Sequence, residues 1–513
     1  MNRQRYFQET GIFYSEDITF GETRSIVMKS FRCHAILLVA FFWAAPLLLA
    51  ANNIPDEVRQ QEAAGNFKRV AVLLQPAIAD TNTPAAERRQ LAFELDRLDR
   101  IRLDYPLTHA ALKKKLQASV RDFTDAEFDQ WLAEKRFDVR MIDGEERFMI
   151  SSVPNLFWRY PELNPRRTPP KNEDFQLPMW QGAMAIRQAA EKEHTPYVLP
   201  KKFDVTMTVT VDAGAAPDGE TIRAWLPVPR TYPYQDDFEL VSSSSPVIQL
   251  APETSPIRSA YLEQPATDGE PTVFSLHYHY TTKGVSFDID PDKVPVFAGS
   301  NEVVGVFTKE APHVVFTPEL RALSQTILGG ETNSARAAKK IYEWIGANIK
   351  YSFATEYSTI PNISEYTRSH GYGDCGEEAL FFITLCRLNN IPARWQSGWD
   401  TFPGAEDIHD WTEIYLAPYG WVPVDPFMST FATQYAGELS PDQRRELRDF
   451  YFGGRSQWRM AANANHSRNL HPAKQSFRSD DVDFQRGELE CDGTDIYFNH
   501  YHYAFTVKEI PVQ

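Results

Sequence analysis

The chain has 513 residues, enough for about three domains, and its apolar (42%) and charged (24%) fractions are those of ordinary globular protein. A formal charge of -16 argues against a nucleic-acid partner, which needs a basic face, and it equally disfavours electrostatic docking on anionic lipid. No internal repeat is apparent along the chain.

Residues 1–51 read as a targeting segment. Lys29 and Arg32 form a short basic stretch, and residues 35–50 are an uncharged apolar run, shorter than the ~20 residues a spanning helix needs. Ala50 and Ala51 offer small residues for cleavage, and Met28 is the expected start. The expected location is extracytoplasmic, periplasmic or secreted, with membrane anchoring as the alternative if the segment is retained. Three cysteines follow: Cys375, Cys386 and Cys491. The first two lie on one predicted helix about 16 Å apart, too far to bridge. A Cys386–Cys491 bridge is one arrangement in an oxidising compartment. Two separate buried thiols are the expected one, and Cys375 is free in either case.

Residues 52–160 read as a helical accessory domain. Thr83-Pro84 marks one helix start, followed by Leu91, Leu95, Leu98 and Ile101 at helical spacing. Thr124 and Glu127 form a capping box, with Phe123 and Phe128 as its hydrophobic staple. Asp143-Gly144 closes a hairpin within 137–150. No constellation here carries chemistry. Residues 161–200 are a proline-rich linker or strap and a short helix near 179–193. From residue 201 to 300 the period becomes two: Phe203, Val205, Met207, Val209 and Val211 alternate with polar residues, and Phe274, Leu276, Tyr278 and Tyr280 repeat the pattern. An antiparallel β-sandwich follows from it. His277 and His279 share one face of their strand. With no third ligand evident, they are expected as exposed strand histidines rather than a metal pair.

Chemistry concentrates in residues 311–455. Two helices, 318–328 and 334–349, precede Tyr351. Cys375 then follows the glycine-rich turn Gly371-Tyr372-Gly373-Asp374 and precedes a helical run that stops at Asn389-Asn390-Ile391-Pro392. The orphan N–H groups and positive dipole of that helix end are expected to favour a thiolate. On the following strand, 408–416, alternation sets His409, Trp411 and Glu413 on one face. The turn Ala417-Pro418-Tyr419-Gly420 brings Asp425 back level with His409 and Trp411, where a carboxylate would orient an imidazole that pairs with a thiol. The Cys375 N–H is the first donor for an oxyanion. Trp411 and Glu413 are expected to support His409. His370 ranks below His409 as a base, and the neighbouring Asp407 and Asp410 are set aside on the ground that adjacent strand residues point to opposite faces. Residues 456–513 read as a C-terminal strand extension, with strands at 482–490 and 495–507, expected to pack back on the core or its cleft.

Four motifs in order, Gly373-Asp374-Cys375, Ile391-Pro392-Ala393-Arg394, His409-x-Trp411-x-Glu413-x-Tyr415-Leu416 and Gly420-Trp421-Val422-Pro423-Val424-Asp425-Pro426, resemble the core of the transglutaminase-like superfamily, a papain-like thiol-enzyme fold. The resemblance covers residues 316–428 and implies Cys375 as nucleophile, His409 as base and Asp425 as orienter. For the second oxyanion donor it implies an upstream aromatic side chain, with Tyr351 and Tyr372 as candidates, against simple packing roles. The sandwich likewise resembles the β-domains that precede such cores, and Gln485-Arg486-Gly487-Glu488 the extension of some bacterial relatives. The implied fold class is α+β and multidomain: a helical N-terminal region, an antiparallel sandwich, and a papain-like α+β core with a C-terminal β extension. The expected function is a secreted thiol enzyme acting on amide or peptide bonds of a protein or peptide substrate through a thioacyl intermediate, with hydrolysis ahead of acyl transfer to amines (cross-linking). A non-catalytic scaffold or binding protein is the alternative from another class. No cofactor or metal is expected, since the sequence carries neither an EF-hand loop nor a zinc ligand set. No nucleic acid and no stable membrane insertion after signal cleavage are expected, and the sequence does not encode an oligomeric state legibly.

Overall fold

Helices open the described chain because apolar residues recur there at helical spacing. The computed structural model describes residues 54–170, 173–295 and 302–512. The segment read as a targeting sequence lies outside them. The first helices are Asp56–Ala63, Phe67–Ala79, Ala85–Asp104, His109–Ser119 and Asp125–Ala133. The helix read from Thr83-Pro84 starts one residue later than expected, with Pro84 as the N-cap in extended backbone. Thr124 and Glu127 make the capping box, and the Phe123 and Phe128 rings meet edge to face at 6.3 Å. Asp143 (φ 50°) and Gly144 (φ 89°) are both left-handed, which joins Val139–Ile142 to Glu145–Phe148 as a tight hairpin. Pro161–Arg166 winds into a 3₁₀ helix where a linker or extended strap was expected. Helices Ser152–Arg159 and Gln176–Glu193 flank it.

The alternation from Phe203 to Val211 becomes strand Tyr197–Val211, whose inward residues are fully buried. It pairs with Thr272–Ser286 on one side and Tyr501–Ile510 on the other; Gln235–Ser243 and Gly454–Arg455 pair with Thr272–Ser286. A second sheet runs Thr494–Ile496, Glu488–Cys491, Thr221–Pro227, Ser259–Pro265, Gln249–Leu250. Phe203, Val205 and Leu276 from the first sheet meet Ile222, Leu262 and Leu489 from the second in one apolar core. The C-terminal strands thus complete both sheets, and the last covers a backbone edge that would otherwise be open. The strand read at 482–490 is the shorter Glu488–Cys491, because Asp480 to Gln485 turn beneath the core and spend their side chains there. The strand read at 495–507 is two, Thr494–Ile496 and Tyr501–Ile510. Cys386 and Cys491 are separate, buried free thiols.

Helices Pro318–Leu328, Ser334–Asn348, Ile363–His370 and Cys375–Leu388 pack on a four-stranded antiparallel sheet in the order Gly420–Val424, Asp407–Leu416, Ala393–Asp400, Arg459–Asn463. Ile341, Ile345, Leu380, Ile383, Ile414 and Val422 fill the space between. Cys375–Leu388 is the central helix, buried on all sides from Gly376 to Arg387. Gly398 is required where Arg459–Asn463 joins the sheet, since a Cβ there would stand 1.9 Å from the Met460 carbonyl oxygen. The chain is α+β throughout, and no described helix is long and apolar enough to cross a membrane.

Candidate active site

Cys375 is the first residue of helix Cys375–Leu388, as the turn before it and the Asn389-to-Pro392 stop after it dictate. That helix end is already occupied. Asp374 Oδ1 accepts from the N–H groups of Gly376 (3.2 Å) and Glu377 (3.1 Å), and Glu377 accepts from the Asp374 N–H at 3.0 Å. A carboxylate next to the sulfur therefore answers the positive end of the helix. A second carboxylate comes from the His409 strand: the Cys375 thiol donates to Asp410 Oδ2 at 3.5 Å. Tyr357 Oη donates to Asp374 Oδ1 at 2.6 Å and lies 3.3 Å from Asp410 Oδ2. Only glycine fits at 376, where a Cβ would come within 2.2 Å of Tyr357 Oη and 2.7 Å of Asp410 Oδ2. The outcome reverses the expected thiolate: burial, then the Asp410 and Asp374 charges, push the Cys375 thiol well above its ordinary pKa. Asp410 is itself pushed well up, by burial and then by Asp483 and Asp374.

His409 is set by sheet register. Strand Asp407–Leu416 pairs with Gly420–Val424 so that Thr412 faces Val424. Asp425 then comes level with Trp411, and its Oδ2 meets His409 Nε2 at 2.8 Å. Trp411 lies nearly parallel to the imidazole at 5.9 Å, and Phe427 abuts it edge-on at 5.5 Å. With Nε2 committed to Asp425, Nδ1 is the nitrogen left to exchange a proton. Asp425 is 1% exposed, and burial alone would raise its pKa; Arg459 and His409 overcome that and hold the carboxyl below its ordinary range. Arg459, also 1% exposed, pairs with Asp425 Oδ2 and lies 3.4 Å from Asp400 Oδ2. Its guanidinium rests over the rings of Tyr451 (4.9 Å) and Trp411 (5.5 Å). Sequence reasoning missed Arg459. The signal was a lone cation heading the apolar run Met460-Ala461-Ala462, a position a buried strand tolerates only when the charge is paired.

Cys375 and His409 line one cleft of about 270 Å³. Trp158, Phe353 and Phe427 make much of its wall, and Asp400, Glu406 and Asp407 supply carboxylates along it. Trp158 belongs to helix Ser152–Arg159, so the N-terminal helices, read as carrying no chemistry, form one side of the site. Tyr351 lines the cleft as well, its ring held between Trp158 (4.6 Å) and Phe427 (5.0 Å). Burial, then the charges of Cys375 and Asp374, push its phenol well up, so it stays a hydrogen-bond donor. Tyr372 is turned away from the cleft: its Oη donates to Asp138 Oδ1 at 2.6 Å and Arg159 covers its ring at 4.6 Å. The reason is its pairing beside Lys350, which aims it at the N-terminal helices. Trp411 and Glu413 sit on the support side, Glu413 bound by Arg394 Nε at 2.6 Å and by Tyr234 Oη at 3.3 Å. His370 stacks on Tyr366 at 3.9 Å at the exposed end of helix Ile363–His370, outside the cleft wall. The C-terminal segment packs behind the His409 strand: Gln485 Nε2 donates to the His409 carbonyl and to Asp410 Oδ1, each at 2.8 Å.

Residues 321–426, the segment that holds Cys375, His409 and Asp425, match the family model of the transglutaminase-like superfamily. Over 126 residues the chain is 24% identical to the uncharacterized protein YebA of Bacillus subtilis (strain 168); the match spans 21% of this chain and 17% of that relative's length. Among solved structures, a candidate cysteine protease from Cytophaga hutchinsonii superposes with a TM-score of 0.40 at 17% identity, covering 62% of this chain and 93% of that one. The periplasmic domain of TgpA from Pseudomonas aeruginosa superposes with a TM-score of 0.25 at 13% identity, covering 51% of this chain and 96% of that one.

Proposed function

We propose that the chain is a thiol enzyme that cleaves amide or peptide bonds by hydrolysis. One observation carries this reading: the His409 imidazole is fixed through Nε2 on a buried, ionised Asp425, in the cleft that Cys375 also lines. In this reading His409 Nδ1 takes the Cys375 proton as Sγ attacks the carbonyl carbon, and the carbonyl π pair moves onto oxygen. The Cys375 N–H and Tyr351 Oη donate to that oxyanion. When the tetrahedral adduct collapses, the C–N bond breaks, His409 protonates the departing amine, and a thioacyl remains on Cys375. Water, deprotonated by His409, attacks the thioacyl, and the sulfur leaves and regains its proton. Because the resting sulfur is a thiol beside Asp410, proton transfer and attack are coupled, with no standing ion pair.

The aromatic wall suits an apolar group flanking the bond, and the carboxylates of Asp400, Glu406 and Asp407 suit a basic neighbour. The apolar run at 35–50 supports export, and with it an extracytoplasmic substrate. An iodoacetamide-type probe tests the thiol. Cys375 should label faster than Cys386 or Cys491, and His409→Ala should slow it; equal labelling of the three thiols would overturn the reading. Amine release from peptide amides, without incorporation of an amine probe into casein-like acceptors, is the expected outcome for hydrolysis. Incorporation would reassign the enzyme to acyl transfer.

A further inference from the structure

A second cluster lies on the outer face of the sandwich. Strands Tyr197–Val211 and Thr272–Ser286 are antiparallel in a register that sets Asp204 opposite His279 and Thr206 opposite His277. Leu276, Tyr278 and Tyr280 point into the core, so the alternate residues His277 and His279 point outward. Both Nε2 atoms lie 3.0 Å from the same oxygen, Asp204 Oδ2, and the three candidate ligand atoms all fall within 4.8 Å of one another. Ligand bonds of ~2.0–2.1 Å at a tetrahedral angle hold donor atoms about 3.3 Å apart, so the two Asp204–histidine separations already stand near the spacing of a coordination shell. The imidazole planes are nearly perpendicular (88°), which lets the two lone pairs converge from different directions. An independent feature supports the same reading. Glu239, opposite His279 on strand Gln235–Ser243, places Oε2 3.7 Å from His279 Nδ1. That is an ion-pair distance rather than a hydrogen bond, and it sets a carboxylate on the Nδ1 side of His279, the side from which outer carboxylates support metal-ligating histidines.

We propose that Asp204, His277 and His279 form a binding site for a divalent transition-metal ion of the zinc class. Two imidazoles and one carboxylate favour zinc, cobalt or nickel over calcium and magnesium, which take oxygen ligands. The side chains are 22–33% exposed, so water or an external group completes the coordination shell. The ion would tie together three neighbouring strands, through Asp204, the two histidines and Glu239. The site is separate from the catalytic reading, since none of these residues lines the Cys375 cleft. The sequence reading stopped at the histidine pair because the third ligand lies 73 residues before His277.

The test uses the full chain, free of any affinity tag, in a Cys375→Ala background so that the cleft thiol does not compete. Zinc is titrated by calorimetry, and cobalt by its visible absorption. A single saturable equivalent and a melting temperature that rises with zinc are expected. Asp204→Asn, nearly isosteric, and a His277→Ala/His279→Ala double variant should abolish both; Glu239→Gln should weaken binding by about 10- to 100-fold. Unchanged zinc stoichiometry in the Asp204→Asn variant, with its fold verified by circular dichroism, would overturn the proposal. So would the absence of saturable binding in the Cys375→Ala parent. With Cys375 present, its alkylation rate should be the same with and without Asp204→Asn.

Discussion

Arg459→Met is the change that probes the site most deeply. Arg459 is fully buried, is the strongest influence holding Asp425 ionised, and carries no atom that lines the cleft. Removing one partner of a buried ion pair costs about 3–5 kcal/mol, because the remaining charge is left without compensation. Asp425 also loses its main opposition to burial, and the His409 imidazole and the Met428 N–H are left to favour the carboxylate. The sign follows. The folded-state pKa of Asp425 is depressed, so its stabilising contribution is present above the unfolded value of about 3.9 and is lost as pH falls through the folded value. In the variant that folded value rises, and the carboxylate is lost at a higher pH than before. The acid limb of His409-dependent Cys375 alkylation, or of peptide-amide hydrolysis, should therefore move to higher pH, each unit corresponding to about 1.4 kcal/mol. Denaturant unfolding followed in parallel should give a destabilisation of about 3–5 kcal/mol. Arg459→Lys keeps the charge but not the fork and should fall between the two. An acid limb that stays where it was, with less than about 1 kcal/mol lost in unfolding, would refute the assignment of Arg459 as the group that keeps Asp425 charged.

Asp410→Asn removes the ionisable carboxyl that faces the sulfur, so the Cys375 inflection in a pH series of alkylation rates should move to lower pH. Tyr351→Phe removes the proposed second oxyanion donor; a loss of about 10²–10³-fold in kcat with little change in KM is expected from steady-state kinetics. Gly376→Ala drives a methyl into Tyr357 Oη, and the variant should show both a lower melting temperature and slower Cys375 labelling. Reductant should leave the melting temperature of the parent unchanged, because Cys386 and Cys491 are separate free thiols.

Where the sequence was legible, the determining contacts were short. The hairpin at Ala417 to Gly420 fixes a register within one turn, and that register delivers Asp425 to His409. The alternation at Phe203 to Val211 and the Thr124/Glu127 capping box are equally local. The illegible parts come from pairings far along the chain. Arg459 reaches Asp425 only because its strand adds beside Ala393–Asp400, and Gln485 reaches His409 only because Asp480 to Gln485 turn beneath the sheet. No periodicity encodes either. Asp410 was set aside because adjacent strand residues face opposite ways; it does face away from its neighbour His409, and that direction leads to the Cys375 helix. The thiolate expectation assumed a bare helix end, whereas Asp374 beside Cys375 caps it with its own carboxylate. Tyr372 was a candidate as an upstream aromatic side chain, and the short parallel pairing at Lys350 sends it elsewhere.

The reach of Gln485 back to the His409 strand, across 76 residues, bears on when the proposed catalytic site would become competent. A ribosome releases Cys375, His409 and Asp425 well before Arg459 and Gln485, so a nascent chain carries its nucleophile while the parts that charge and brace the imidazole's partner are still being made. In the proposed reading, competence arrives late in biosynthesis, after the segments that hold Arg459 and Gln485 have been made.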